Sequence, residues 1–323
     1  MPRTAPIRSV AATAFVLCFI VVVLGAYVRL SAAGLGCPDW PGCYGHFTPA
    51  GALAAADAAG GTLNGVTVEA GKAWKEMIHR YAAGTLGVLI IVIAALAIQS
   101  RRSRLIALPY ALGLLCLVIL QGMLGMLTVT WQLKPLIVTA HLVLGLSTLA
   151  MLWWLVLTLG RRERSAWRDS TPYLGSSLPR TRALALAGLA ALGLQIALGG
   201  WTSSNYAATG CPDFPKCQGA WWPASGAGRA AAIHFTHRLG AVFAAVMLVV
   251  AAVRVLRSRS DDFARLASLA VLAALLLQLG LGISMVLSGF PLWLATAHNA
   301  GAALLLLAAV ALNRSLRPAW KNR

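Results

Sequence analysis

The sequence predicts an all-α membrane protein: eight transmembrane helices in two tandem four-helix bundles of the same orientation, with both termini in the cytoplasm. Three observations carry that prediction. Apolar runs of membrane-spanning length recur along the whole chain, basic residues collect in every second gap between them, and the two halves repeat one another. Of the 323 residues 59% are hydrophobic and 11% charged, where a soluble domain carries roughly 25% charged residues. A run of about 20 apolar residues crosses about 30 Å of hydrocarbon as a helix.

In chain order the spans read as residues 9–30, 73–98, 105–128, 135–159, 182–201, 230–253, 265–287 and 291–313. The first follows Arg3 and Arg8, as the core of a signal peptide would. It outruns the roughly 7–15 residues of such a core, and further spans follow, so it reads as a retained helix.

Eight spans place both termini on one side. That side receives Arg3, Arg8, the "RRSR" of 101–104, Arg161, Arg162, Arg164, Arg168, Arg180 and Arg182. It also receives Arg254, Arg257, Arg259, Arg265, Arg314, Arg317, Lys321 and Arg323, so it holds most of the 27 basic residues. Basic loops stay inside, which makes it the cytoplasmic side. The formal net charge of +18 is thus an orientation signal. Short clusters between spans do not form the continuous basic face a nucleic acid needs, and the partner they imply is the lipid bilayer.

The repeat begins with "GLGCPDWPGCYG" at 34–45 and "ATGCPDFPKCQG" at 208–219. It continues with "EMIHRYAAG" (76–84) against "HFTHRLGA" (234–241), "QGMLGMLTV" (121–129) against "QLGLGISMV" (278–286), and "VTAHLVLG" (138–145) against "ATAHNAGA" (295–302). Each half holds four spans, an even number, so the copies share one orientation. The expected domains are residues 1–160, a cytoplasmic linker at 161–181, and residues 182–323. The Ala/Gly-rich stretch 48–71, which lengthens the first copy, reads as a mobile outer loop.

Both Cys-x5-Cys phrases face outward on this topology, toward an oxidising compartment where disulfides persist. A bridge within each phrase, Cys37 to Cys43 and Cys211 to Cys217, is the favoured reading. Zinc lacks the further His or Cys partners close by that it requires. Cys18 and Cys116 lie inside spans and read as small buried apolar residues.

The chemistry sits on histidines. Of six, four match between the copies, His79 with His237 and His141 with His298, all near the outer ends of even-numbered spans. An ionisable group inside a membrane is by default functional. Two imidazoles on two helices of one bundle, made twice, suit the axial ligation of haem iron. Arg80 and Arg238 follow His79 and His237 and are candidates to pair with haem propionates. Glu76, one turn before His79, is replaced by His234 in the second copy. A carboxylate at that place could accept a proton or orient a water, so chemistry is expected in the first half and an electron-transfer cofactor in the second. His46 has no evident role, and His234 reads as filling space.

Taken together, Glu76-x-x-His79-Arg80, His141, His237, His298 and the two outward Cys-x5-Cys loops resemble the haem A synthase (heme A synthase) family over essentially the whole chain. The resemblance implies an oxidoreductase that converts the C8 methyl of haem O to the formyl of haem A in successive steps, with oxygen from water, for cytochrome oxidase assembly. It implies His79 and His141 as ligands of the substrate haem O, Glu76 as the catalytic residue, and His237 and His298 as ligands of a permanent haem b. It implies disulfides at Cys37–Cys43 and Cys211–Cys217, the first open to redox activity during turnover and the second more structural. Expected partners are the farnesyltransferase that supplies haem O and an unidentified electron acceptor. The expected location is the cell membrane, with the haem sites toward the outer side. The competing reading is a non-catalytic dihaem b-type electron carrier.

Overall fold

A computed structural model of the chain describes residues 5–63, 65–99, 108–165, 178–258 and 261–317. The long helices are α1 (Ala5–Leu30), α3 (Ala70–Gln99), α4 (Leu108–Thr130), α5 (Pro135–Ser165), α6 (Leu178–Ser204), α7 (Gly228–Leu256), α8 (Asp262–Leu287) and α9 (Leu292–Ser315). These eight are long and apolar enough to cross a membrane. Their ends fall within about one helical turn of the expected spans, except that α5 runs on to Ser165, six residues past the expected end at 159; residues 105–107 of the third span lie outside the described residues. Arg3, the "RRSR" of 101–104, Arg168, Arg259, Lys321, Arg323 and the middle of the expected linker lie outside the described residues.

Residues 13–148 form one compact unit, and residues 149–323 with the first 12 form another. In the first, α3 packs on α4. In the second, α6, α7, α8 and α9 pack in sequence and α9 closes the ring against α6. Short turns join α4 to α5 and α8 to α9. In each, a non-glycine residue takes positive φ, Leu133 at 57° and Phe290 at 62°. Short connections make sequential helices antiparallel neighbours. Their outer faces carry large exposed apolar side chains such as Val16, Val88, Ile119 and Leu276, as lipid contact requires.

One end of the second unit is tied down by polar contacts. Arg314, only 5% exposed, donates through Nε to Thr158 Oγ1 at 3.1 Å and lies over the Trp154 ring. Trp153 Nε1 donates to the Leu307 carbonyl, and Asn313 Nδ2 to that of Ala185, both at 3.0 Å.

The stretch 48–71 is more ordered than its composition suggested. It contains a helix, α2 (Pro49–Ala58), and a two-residue hairpin, β1 (Thr62–Leu63) with β2 (Val66–Thr67). The physical reason is local. Alanine is the best helix former, Pro49 sits where a helix tolerates it, and Thr48 Oγ1 caps the Gly51 N–H at 3.3 Å. The free cysteines also differ from one another: Cys18 is buried as expected, but Cys116 is exposed on α4.

Candidate functional site

Each cysteine phrase folds into one loop, and the two loops are built alike. Disulfides join Cys37 to Cys43 and Cys211 to Cys217. In both, the peptide between the aromatic residue and the following proline is cis. Asp39 Oδ1 and Oδ2 accept the N–H groups of Tyr44 and Gly45, and Asp213 does the same for Gln218 and Gly219. Those four acceptor bonds hold Tyr44, Gly45, Gln218 and Gly219 at positive φ between 53° and 79°. Tyr44 and Gln218 would not adopt that region unaided.

The Gly219 N–H, then that of Gln218 and the charge of Arg238, holds the Asp213 carboxyl below the usual carboxylate range. A depressed pKa stabilises the fold only while the group is ionised. This contribution should be complete above about pH 4, the ordinary aspartate value, and fade as the pH falls through the lower folded value. Fluorescence of Trp221 and Trp222 should therefore hold steady through mild acid and change only below that value. Asp213→Asn should abolish the transition.

Each loop is bolted to the helix that follows it. The Arg80 guanidinium donates to the carbonyls of Asp39 and Gly42, and Arg238 to those of Cys211, Asp213 and Lys216. Glu76, 4% exposed, accepts the Cys37 N–H on Oε2 at 2.9 Å and pairs with Arg80 through Oε1. His234 takes the place of Glu76 in the second loop: its Nδ1 accepts the Cys211 N–H at 3.3 Å. His234 is thus a hydrogen-bonding anchor rather than a space filler, because a buried cysteine N–H needs an acceptor.

The base of each loop lies against helix backbone. A Cβ on Gly36 would meet the Lys72 carbonyl carbon at 2.6 Å, and one on Gly210 the Ala230 carbonyl carbon at 2.4 Å. Overpacking of this kind costs roughly 1–3 kcal/mol. Gly210→Ala should lower the thermal midpoint of the purified protein by several degrees. Gly226→Ala, where the added carbon meets nothing within 4 Å, should leave it in place.

The four repeated histidines fall two to a unit, His79 and His141 in one, His237 and His298 in the other. All are part-buried. Each ring rests on a glycine of the preceding long helix. A Cβ on Gly25 would lie 2.8 Å from His79 Cε1, and one on Gly125 3.6 Å from His141 Cε1. Gly199 and Gly282 stand in the same relation to His237 and His298, both at 3.0 Å. Nδ1 of His79, His141 and His298 is buried without a hydrogen-bond partner.

Sequence reasoning missed the seats at Gly25 and Gly199. The signal was available: each lies the same distance before the first cysteine of its loop.

Comparison with known proteins gives the frame for this geometry. The model of the COX15-CtaA family, described as cytochrome oxidase assembly protein, matches residues 8–310. The chain belongs to this family. It is 40% identical to the heme A synthase of Shewanella oneidensis, over 91% of this chain and 92% of that one. It is 31% identical to the heme A synthase of Rhizorhabdus wittichii, over 91% and 89%, and 28% identical to that of Halalkalibacterium halodurans, over 86% of each. As a COX15-CtaA chain with buried nitrogen donors, it offers four imidazoles as the residues able to hold a metal-bearing cofactor. Among the described residues no three or more His, Cys, Asp or Glu converge as for a metal ion, and the donors come in twos.

Proposed function

We propose that the chain is a haem A synthase of the cell membrane, oxidising the C8 methyl of haem O to the formyl of haem A. The single observation that carries the reading is the two couples of part-buried imidazoles, each ring saddled on a glycine. Two imidazoles per site are the donor set that would hold a haem iron, which would supply redox chemistry there, whereas a zinc site closes with three or four protein ligands. The orphaned ring nitrogens fit the same role, since buried polar groups without partners are rare in finished sites.

On this reading His237 and His298 hold a resident haem b, which supplies one-electron transfer. His79 and His141 hold haem O as substrate. Conversion of the methyl to a formyl group with oxygen from water removes four electrons and four protons, so an electron acceptor must complete it. Glu76, four residues before Arg80 and three before His79, is the group placed to take a proton. Arg80 and Arg238 would have to share their guanidiniums between the loop carbonyls and any propionate. The chain is a tandem duplication with domains 1–160 and 182–323, and its termini are cytoplasmic. Cysteine loops and haem sites lie toward the outer side, where the enzyme that makes haem O by farnesyl transfer hands over its product.

The relatives carry the name of a synthase, and nothing in the comparisons favours the dihaem electron carrier. The deciding test is pigment extraction from cells that make haem O, with and without this chain. Haem A should appear only when it is expressed; its absence, with the protein folded and haem-loaded, would overturn the proposal.

A further inference from the structure

Three glutamines accompany the histidines in one pattern. Gln121, Gln195 and Gln278 each stand four residues before the glycine that seats a ring, namely Gly125, Gly199 and Gly282. That spacing puts amide and seat on one helix face. Gln195 Nε2 lies 3.0 Å from both Nδ1 and the carbonyl oxygen of His237. Gln278 Nε2 lies 3.2 Å from Nε2 of His298, and Gln121 Nε2 donates to the His141 carbonyl at 3.0 Å.

A glycine on the histidine's own helix makes room for each amide. A Cβ there would lie 2.8 Å from Gln121 at Gly145, and 2.4 Å from Gln195 at Gly240 and from Gln278 at Gly301. The pattern fails once. Val21 stands four residues before Gly25, and Ala82 follows His79 by three, as Gly240 follows His237 and Gly301 follows His298. The amide and the glycine that admits it are lost together.

The carbonyl oxygens of all three glutamines are buried with no partner. A buried acceptor left open is costly, and at Gln195 and Gln278 it belongs to an amide that already lies against a ring nitrogen. An imidazole that gives one nitrogen to a metal carries its proton on the other, and a partner for that N–H fixes the ring and strengthens its donation. At Gln278 half a turn of the amide exchanges Nε2 for Oε1 against the ring; at Gln195, whose Nε2 also donates to the His237 carbonyl, the amide gives up that bond and swings off the carbonyl to present Oε1.

We infer that Gln195 and Gln278 are positioning residues of the C-terminal site, accepting the ring N–H of His237 and His298 through Oε1 when the other ring nitrogens ligate iron. The inference rests on the bis-histidine reading above. It also gives the two sites different grips. Both ligands of the C-terminal site are held by amides, whereas His79 in the N-terminal site has none. The site that must release its macrocycle after every turnover is the one with an unanchored ligand.

The test is a redox titration of haem b in the purified full-length protein, with electron paramagnetic resonance of the oxidised form. An acceptor on the ring N–H stabilises ferric iron, so Gln195→Leu and Gln278→Leu should each raise the midpoint potential and shift the g values. Gln195→Glu and Gln278→Glu should lower the potential below wild type, and Gln121→Leu should leave it unmoved. If a leucine variant loses its haem, the glutamate variant at that position gives the reading, and a potential at or above wild type overturns the inference. Leucine variants with haem bound at unchanged potential and g values overturn it while leaving the bis-histidine reading intact. A pigment that survives both His237→Ala and His298→Ala overturns both.

Discussion

Alanine at His237 or His298 should yield a full-length membrane protein from which haem b is missing altogether, measured as pyridine haemochrome per mole of chain. Loss of one of two axial nitrogens leaves the iron one protein ligand, and the ring that rested against Gly199 or Gly282 leaves a gap. His79→Ala and His141→Ala should behave in the opposite way. They should keep haem b in full and stop the conversion of haem O, with loss of haem A from cell extracts. The contrast depends on the two couples residing in separate compact units, so that damage to one site leaves the other folded. If His79→Ala emptied the haem b site while His237→Ala spared it, the assignment of the halves would be reversed.

The second large effect is expected at Glu76, and the molecule itself supplies the informative substitution. Glu76 has two tasks in the geometry: it accepts the Cys37 N–H and pairs with Arg80. His234 performs the first of these in the second loop without a carboxylate. Glu76→His should therefore keep an acceptor for the loop while removing the carboxylate, the one basic nitrogen of the imidazole being engaged by the Cys37 N–H as that of His234 is by Cys211. Haem A formation should fall by about two to four orders of magnitude, the usual worth of a general acid–base group, with haem b content and thermal midpoint close to wild type. Glu76→Gln, which keeps the shape and loses the charge, should fall similarly. Near-normal conversion in Glu76→Gln, whose amide cannot take a proton, would reduce Glu76 to a loop anchor and remove it from the chemistry.

Much of this arrangement was legible in the sequence because hydropathy and repetition are one-dimensional signals. Apart from the far end of α5, the spans could be placed to within about a turn because a bilayer demands a fixed length of apolar helix. The four histidines stood out because "HR" and "TAH" recur in matching surroundings. The disulfides followed from paired cysteines with prolines between them. What stayed hidden depends on contact between helices. Gly25 and Gly199 look like ordinary small residues of a span until a ring is seen resting on each. Gln195 escaped because its neighbourhood, "QIALGGW", matches "VVVLGAY" in the first half at the glycine and not at the glutamine. His234 could not be recognised as an anchor because its partner is a main-chain N–H, which no side-chain pattern records. The helix α2 was obscured for a different reason: alanine and glycine together read as a flexible composition, while the order of residues, with Thr48 and Pro49 at the head of the run, spells a helix start.

The way the cysteine loops are fastened also bears on what a thiol reagent would do to them. Asp39 and Asp213 tie their own turns from within, and Arg80 and Arg238 lash both loops to α3 and α7. The sulfur–sulfur link is therefore one fastening among many. Cutting it would leave two thiols facing each other on a path still fixed by the other bonds. With all four loop cysteines buried, a reductant that did reach the link should find a loop that keeps its path when the sulfurs part.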